Sequence, residues 1–156
     1  MNRVLWVLLI LIVVAIVGYV VLRVLVERGS PMPNNLGVEE GRLAACPDKP
    51  NCVSSYAADD EHRIAPIAYE GSQEEARAAL LTVLNNLSNS TIITQDNDYI
   101  HVELRSRLMR FVDDTEFYFA EPGLIQVRSA ARIGQADMGA NRRYVETIRE
   151  TFRAGL

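Results

Sequence analysis

Two cysteines inside seven residues, a pair of adjacent aspartates and a group of arginines near the carboxy terminus are the residues of this chain most able to do chemistry. The stretch CPDKPNCVSS, residues 46–55, holds both cysteines. Two thiolates cannot complete a tetrahedral zinc site, and His62 and His101 stand at spacings unlike the usual paired-ligand patterns, so no metal site is expected. A nucleophilic thiolate needs a base and an electropositive setting. Asp48 works against the stabilised thiolate, and no Cys/His signature surrounds Cys52. The preferred reading is a disulfide between Cys46 and Cys52, because Pro47 and Pro50 favour a turning chain that brings the two Cα atoms within about 7 Å. Closing so small a ring is worth about 2 to 2.5 kcal/mol on chain-entropy grounds, enough to set a loop.

The segment ANRRYVETIRETFR places Asn141, Arg142 and Arg143 in the first turn of a helix. Cations there oppose the helix dipole by about 0.3 to 1 kcal/mol each, so something must offset them. An anionic ligand is one candidate, gripped by free backbone N–H groups together with Arg128, Arg132, Arg142 and Arg143. The other is an internal polar network in which Asp113 and Asp114, with Glu116 and Asp137, answer these arginines. Adjacent carboxylates can also act as acid and base, but neighbours along a strand point to opposite faces, which argues against a catalytic dyad of Asp113 and Asp114 unless they lie in a turn. His101, flanked by Glu103 and Arg105, reads as a solvated surface histidine. Ser54 and Ser55 belong to no Gly-x-Ser-x-Gly elbow, and there is no glycine-rich phosphate loop. No cofactor is expected.

What positions these groups begins with VLWVLLILIVVAIVGYVVL, residues 4–22, nineteen residues without a charge. At 1.5 Å per residue that run matches the roughly 30 Å hydrocarbon thickness of a bilayer. Its length and the lack of a clear small-x-small site favour an uncleaved anchor over a signal peptide. Trp6 and Tyr19 sit near its two ends, at headgroup level. The flanking charges, Arg3 on one side and Arg23 and Arg28 on the other, give no orientation. The division expected is an anchor over 1–28, a Gly/Pro/Asn-rich linker over 29–42 leading away from the bilayer, and a folded domain over 43–156. Net charge is −4, and residues 29–99 carry eleven acids against four bases. That balance excludes a nucleic-acid footprint, which needs a basic domain. All but one of the sixteen basic residues are arginine.

Ser72-Gln-Glu-Glu is a capping box, and Ala76, Leu80, Leu81, Leu84 and Leu87 recur at helical spacing, which predicts a helix over 73–88. Ile100, Val102 and Leu104 alternate with His101, Glu103 and Arg105, predicting a strand in a sheet with one wet side. Phe117 and Phe119, then Ile125 and Val127, continue the alternation on either side of Glu121-Pro122-Gly123. A three-residue loop there sets Phe119 opposite Ile125 and Glu116 opposite Arg128 as a cross-strand ion pair. A weaker strand over Thr91–Gln95 joins the sheet. The last helix runs from about Met138 to Arg153, capped by Asp137, with Val145, Ile148 and Phe152 as its apolar stripe. The fold class expected is α+β: an N-terminal transmembrane helix followed by a small two-layer domain with an antiparallel sheet and two helices.

Taken in order, CPDKPNCVSS, DDEHRIAPIAY, MRFVDDTEFYF and VRSAARIGQADMGANRR resemble one uncharacterised bacterial family, the domain of unknown function labelled fourteen-ninety-nine, over about residues 43–153. Its motifs match Cys46, Cys52, Asp113, Asp114, Arg128, Arg132, Asp137 and Arg142, while Ala131 stands near a site where a small residue or serine is usual. The resemblance implies a domain boundary and no activity, ligand or catalytic residue. Disulfides persist outside the cytosol, and this one would follow a membrane anchor. The expected protein is therefore a single-pass protein of the bacterial inner membrane, its amino terminus cytoplasmic and its domain periplasmic. Its partners are the lipid bilayer through residues 4–22 and an anionic ligand or envelope protein. The first expectation for its role is a non-catalytic binding or envelope-assembly module recognising an anionic group. The rivals are an envelope hydrolase or transferase using Asp113, Asp114 or His101 with arginine as stabiliser, and an Arg/Asp network that serves the fold alone.

Overall fold

The computed structural model describes residues 2–155. The apolar amino-terminal run forms α1, Arg3–Arg28, a 26-residue helix with no buried side chain. Among the described residues it is the one helix long and apolar enough to cross a membrane, with a mean hydropathy of 3.2 over its best window. A signal sequence near an amino terminus shares those properties.

The domain that follows contains β1 (Val38–Glu39), β2 (Arg42–Leu43), β3 (Cys52–Ser54), β4 (Ile67–Ala68), α2 (Gln73–Asn86), β5 (Ser90–Gln95), β6 (Tyr99–Arg105), β7 (Val112–Glu121), β8 (Leu124–Ala131) and α3 (Ala140–Ala154). The main sheet runs β3-β8-β7-β6-β5, and β4 pairs with the far end of β8. Every pairing between these strands is antiparallel. This is the α+β architecture expected, an apolar helix and then an antiparallel sheet with two further helices. The capping box at α2 forms as its sequence requires: Glu75 N donates to Ser72 Oγ, and Ser72 N donates to Glu75 Oε2 at 3.0 Å. The core lies between helices and sheet. Ala76, Leu80 and Leu84 of α2 and Val145, Ile148 and Phe152 of α3 pack on Ile100, Val102, Leu104, Phe117, Ile125 and Val127.

The β7–β8 hairpin keeps the expected ion pair, Glu116 opposite Arg128, but turns differently. Glu121 pairs with Leu124, so the turn is the two-residue Pro122-Gly123, with Gly123 at φ +83°, and a bulge lies between Tyr118 and Glu121. The bulge absorbs the odd residue that a three-residue loop was expected to hold, which keeps both apolar sets on one face despite the tight turn.

The second face of the sheet corrects two expectations. It is dry: Tyr99, His101, Glu103, Asp114, Glu116 and Arg128 are all buried, and His101 is only 2% exposed. The residues expected to lead away as a linker instead fold back over it. The β1–β2 hairpin turns at Glu40-Gly41, both at positive φ as a tight hairpin requires, and β2 lies against β7 and β8 with Leu43 buried. Further along this cover, Gly37 N donates to Glu116 Oε1 at 2.7 Å, and Arg132 Nη1 donates to Ser30 O at 3.2 Å. Acids and bases on the strands neutralise one another, which makes the burial tolerable.

Candidate functional site

Antiparallel register places alternate residues of β6, β7 and β8 side by side on the covered face: His101 opposite Glu116, Glu103 opposite Asp114, and Glu116 opposite Arg128. Two linked clusters result. In the first, Glu116 accepts from Arg128 Nη1 at 2.9 Å, from the Tyr99 hydroxyl at 2.8 Å and from Gly37 N. Burial, with Glu116 beside it, pushes the Tyr99 phenol far above its ordinary range. In the second, Asp114 accepts from His101 Nε2 at 2.7 Å and from Arg132 Nε and Nη2, both at 2.8 Å. Burial alone would raise the Asp114 carboxyl, but the hydrogen bonds from Arg132 and His101 outweigh it and hold it below the usual carboxylate range. A carboxylate only accepts, so His101 carries a proton on Nε2. Arg132 also reaches Glu103, which takes Arg105 Nη2 at 2.5 Å, and Arg105 Nη1 continues to Glu27 at the end of α1, 3.3 Å away. By itself this network clamps the cover and the root of α1 to the sheet.

A cleft of about 240 Å³ opens between cover and sheet, with Arg128, Arg132 and Asp114 on one wall and Pro33, Cys46 and Pro47 on the other. Arg128 is 4% exposed, and its Nε is buried without a hydrogen-bond acceptor. A buried guanidinium N–H left unmatched is costly, and the groups that relieve it are acceptors, above all anions. The Cys46–Cys52 disulfide fixes the opposite wall: its Cα atoms are 5.7 Å apart, and Cys52 pairs with Ala130 on β8. Both thiols are thereby consumed, as the preferred reading expected. Among the described residues no three His, Cys, Asp or Glu side chains converge to hold a metal.

Asp113 faces the helices, as the strand geometry requires of the neighbour of Asp114. It meets Asn141, which is fully buried and ties several elements together. Asn141 Nδ2 donates to Asn51 O at 3.1 Å and to Asp137 Oδ2 at 2.8 Å, and lies 3.5 Å from Asp113 Oδ1. Its Oδ1 accepts from Ser129 Oγ at 2.5 Å, and Ser129 is 2.7 Å from Thr115 Oγ1. Burial, with the Asp137 charge nearby, pushes the Asp113 carboxyl up to about 6. Asp137 goes the other way. Burial raises it, but the backbone N–H groups of Asn141 and Gly139 outweigh that effect and lower it. The cap expected at Asp137 falls instead on Gly139, in the left-handed region and without a side-chain cap bond, so α3 starts at Ala140, two residues beyond the expected Met138; Asp137, two residues before the cap, still accepts from Asn141 N in the first turn. Asp113, Asp137 and Tyr144 line a mainly apolar cavity of about 270 Å³ together with Phe111, Ile133 and Met138.

Of the four arginines considered for an anion, Arg128 and Arg132 come together, and Arg142 and Arg143 lie elsewhere. Arg142 donates to Arg63 O at 2.8 Å and Glu61 O at 2.9 Å, and Arg143 donates to Met138 O at 2.7 Å. Backbone carbonyls, rather than Asp113 or Asp114, answer the cations at the start of α3. His101 is not the solvated histidine its polar neighbours suggested, because the cover removes water from its face. Sequence reasoning also missed Asn141 and Arg149 as buried anchors. Arg149, 4% exposed, donates to Ala65 O and Pro66 O, both at 2.6 Å. Its signal was present: with Val145, Ile148 and Phe152 it completes an i, i+3, i+4, i+7 set, which places it on the apolar stripe.

No curated protein matches the chain. A family model described as "Protein of unknown function (DUF1499)" matches residues 42–152, which takes in the disulfide, the covered polar face, the Asp113 cavity and nearly all of α3. The match covers most of the sequence and the whole of the main sheet, and the chain therefore belongs to this uncharacterised domain family.

Proposed function

We propose that this protein is a membrane-tethered binding domain that works in an oxidising compartment outside the cytoplasm and recognises an anionic group at the Arg128–Arg132 cleft. The observation that carries this reading is the buried Arg128, whose Nε has no acceptor and whose side chain lines the cleft together with Arg132. The local charges support a small anion: among the charged residues lining the cleft, Arg128 and Arg132 stand against Asp114 alone. In this reading α1 is an uncleaved anchor in the bacterial inner membrane, with the amino terminus cytoplasmic and the domain periplasmic. The disulfide supports the outside placement, because thiols stay reduced in the cytosol. Alkylation of freshly lysed, unreduced cells that found both thiols free would remove that support.

The binding test is thermal unfolding of the full chain in detergent with inorganic phosphate, sulfate or acetate at constant ionic strength. A ligand present at about 100 times its Kd stabilises by about 2.7 kcal/mol, a readable rise in Tm. Arg128→Lys removes the Nε donor while keeping charge, and is expected to abolish the rise; Arg143→Ala is expected to keep it. Equal rises in wild type and Arg128→Lys would place any anion elsewhere.

One observation favours a second reading, an envelope hydrolase or transferase. Asp113, held near 6, lines a cavity and is tuned as a general acid or base should be. Asp114 and His101 suit that role less, since each is taken up by the other and Asp114 by Arg132 as well. A screen of ester, phosphoester and glycan substrates showing no turnover that depends on Asp113 would discard it.

A further inference from the structure

The loop between β6 and β7 reads SRLMRF, residues 106–111. Leu108 is 68% exposed and Phe111 39%, and across the mouth of the Asp113 cavity Met138 is 90% exposed. From residue 43 onward, among the described residues, the one other exposed large apolar side chain is Ile93 on edge strand β5. The domain's apolar exposure is therefore gathered at one end, where water alone would disfavour it.

That end touches α1. The Tyr19 hydroxyl donates to Leu108 O at 2.7 Å, and Glu27 pairs with Arg105 at 3.3 Å and with Arg110 at 4.0 Å. Tyr19 lies three residues, about 4.5 Å of helix rise, inside the end of the charge-free run at Leu22, and its hydroxyl holds the Leu108 carbonyl. In a spanning helix this depth is the boundary between acyl chains and headgroups, where tyrosine is favoured. Arg107 and Arg110 flank Leu108 at the level where anionic headgroups attract basic residues by about 1 kcal/mol each.

We propose that this loop, with Met138 beside it, is a second membrane contact: a lipid surface receives Leu108, Phe111 and Met138, and Arg107 and Arg110 meet the headgroup phosphates. The domain then lies against the bilayer instead of swinging free on a tether, and the cavity between Phe111 and Met138 opens toward lipid. The inference rests on the reading of α1 as a span.

The test uses the full chain reconstituted in vesicles of phosphatidylglycerol and phosphatidylethanolamine. The native cysteines are bridged, so single variants Leu108→Cys, Met138→Cys, Asp98→Cys and Val13→Cys each take one fluorescent label. Asp98 precedes β6 and stands a strand length, roughly 20 Å, from the loop. Lipids carrying a quencher at the headgroup boundary are expected to reduce the signal at Leu108 and Met138 and leave Asp98 bright, while a quencher deep in the acyl layer silences Val13. If Val13 is quenched but Leu108 and Met138 stay as bright as Asp98, the second contact is overturned and the span stands. Shielding of Leu108 from an aqueous quencher without lipid quenching overturns it in favour of a protein partner. If Val13 is not quenched, the span fails and the contact with it.

Discussion

Replacing Asp113 with asparagine isolates the cost of burying an acid that has no full cationic partner. In the folded protein the Asp113 carboxyl is raised from 3.8 to about 6, first by burial and then by Asp137. Two units at 1.36 kcal/mol each give about 3 kcal/mol, distributed over pH in a definite sense. A carboxyl whose folded value is raised favours the neutral form, so its stabilising contribution is complete below pH 3.8 and is lost as pH rises through about 6. The Asp113→Asn variant cannot ionise there. Its stability relative to wild type is therefore expected to climb by up to about 3 kcal/mol between pH 4 and pH 7 and to level off above. An asparagine carbonyl can still face Asn141 Nδ2, now 3.5 Å from Asp113 Oδ1, so little hydrogen bonding is lost. The assay is urea unfolding of both proteins from pH 4 to pH 8. Taking the difference cancels the groups that do not interact with Asp113. A difference independent of pH, or one falling as pH rises, would refute the buried, uncompensated character assigned to Asp113.

Glu116→Gln breaks the pair with Arg128 under the cover and is expected to cost about 3 to 5 kcal/mol, whereas the apolar double replacement Glu116→Met, Arg128→Met recovers much of that loss in chemical unfolding. Glu116→Ala is also expected to open residues 30–42 to limited proteolysis, because Gly37 N then loses its side-chain acceptor. Removing the bridge in Cys46→Ser, Cys52→Ser should lower stability by about 2 kcal/mol relative to oxidised wild type in urea unfolding. Arg149→Ala, which strands two backbone carbonyls under α3, should cost about 2 kcal/mol or more, while Arg143→Ala on the exposed face stays within about 0.5 kcal/mol; equal effects on Tm would show that burial does not separate them.

Local signals determined much of this protein. Nineteen uncharged residues can satisfy their backbone in apolar surroundings only as a helix, and α1 is one. Ser72 and Glu75 wrote the start of α2, the prolines between Cys46 and Cys52 allowed the bridge, and the period-two pattern assigned the strands and put Glu116 opposite Arg128. All of these depend on residues within a turn, or on neighbours in one ladder, so the sequence displays them directly. What covers a sheet face is a different kind of fact. His101, Glu103, Asp114 and Arg128 have the side chains of a solvated face, and nothing in their order says that residues 30–46 return to exclude water from them. The same long-range packing separated Arg142 and Arg143 from Arg128 and Arg132, left Arg128 Nε unmatched and set Leu108 against Tyr19. Burial and charge pairing are sums over segments far apart in the chain, and they acquire values only when the tertiary structure brings those segments together.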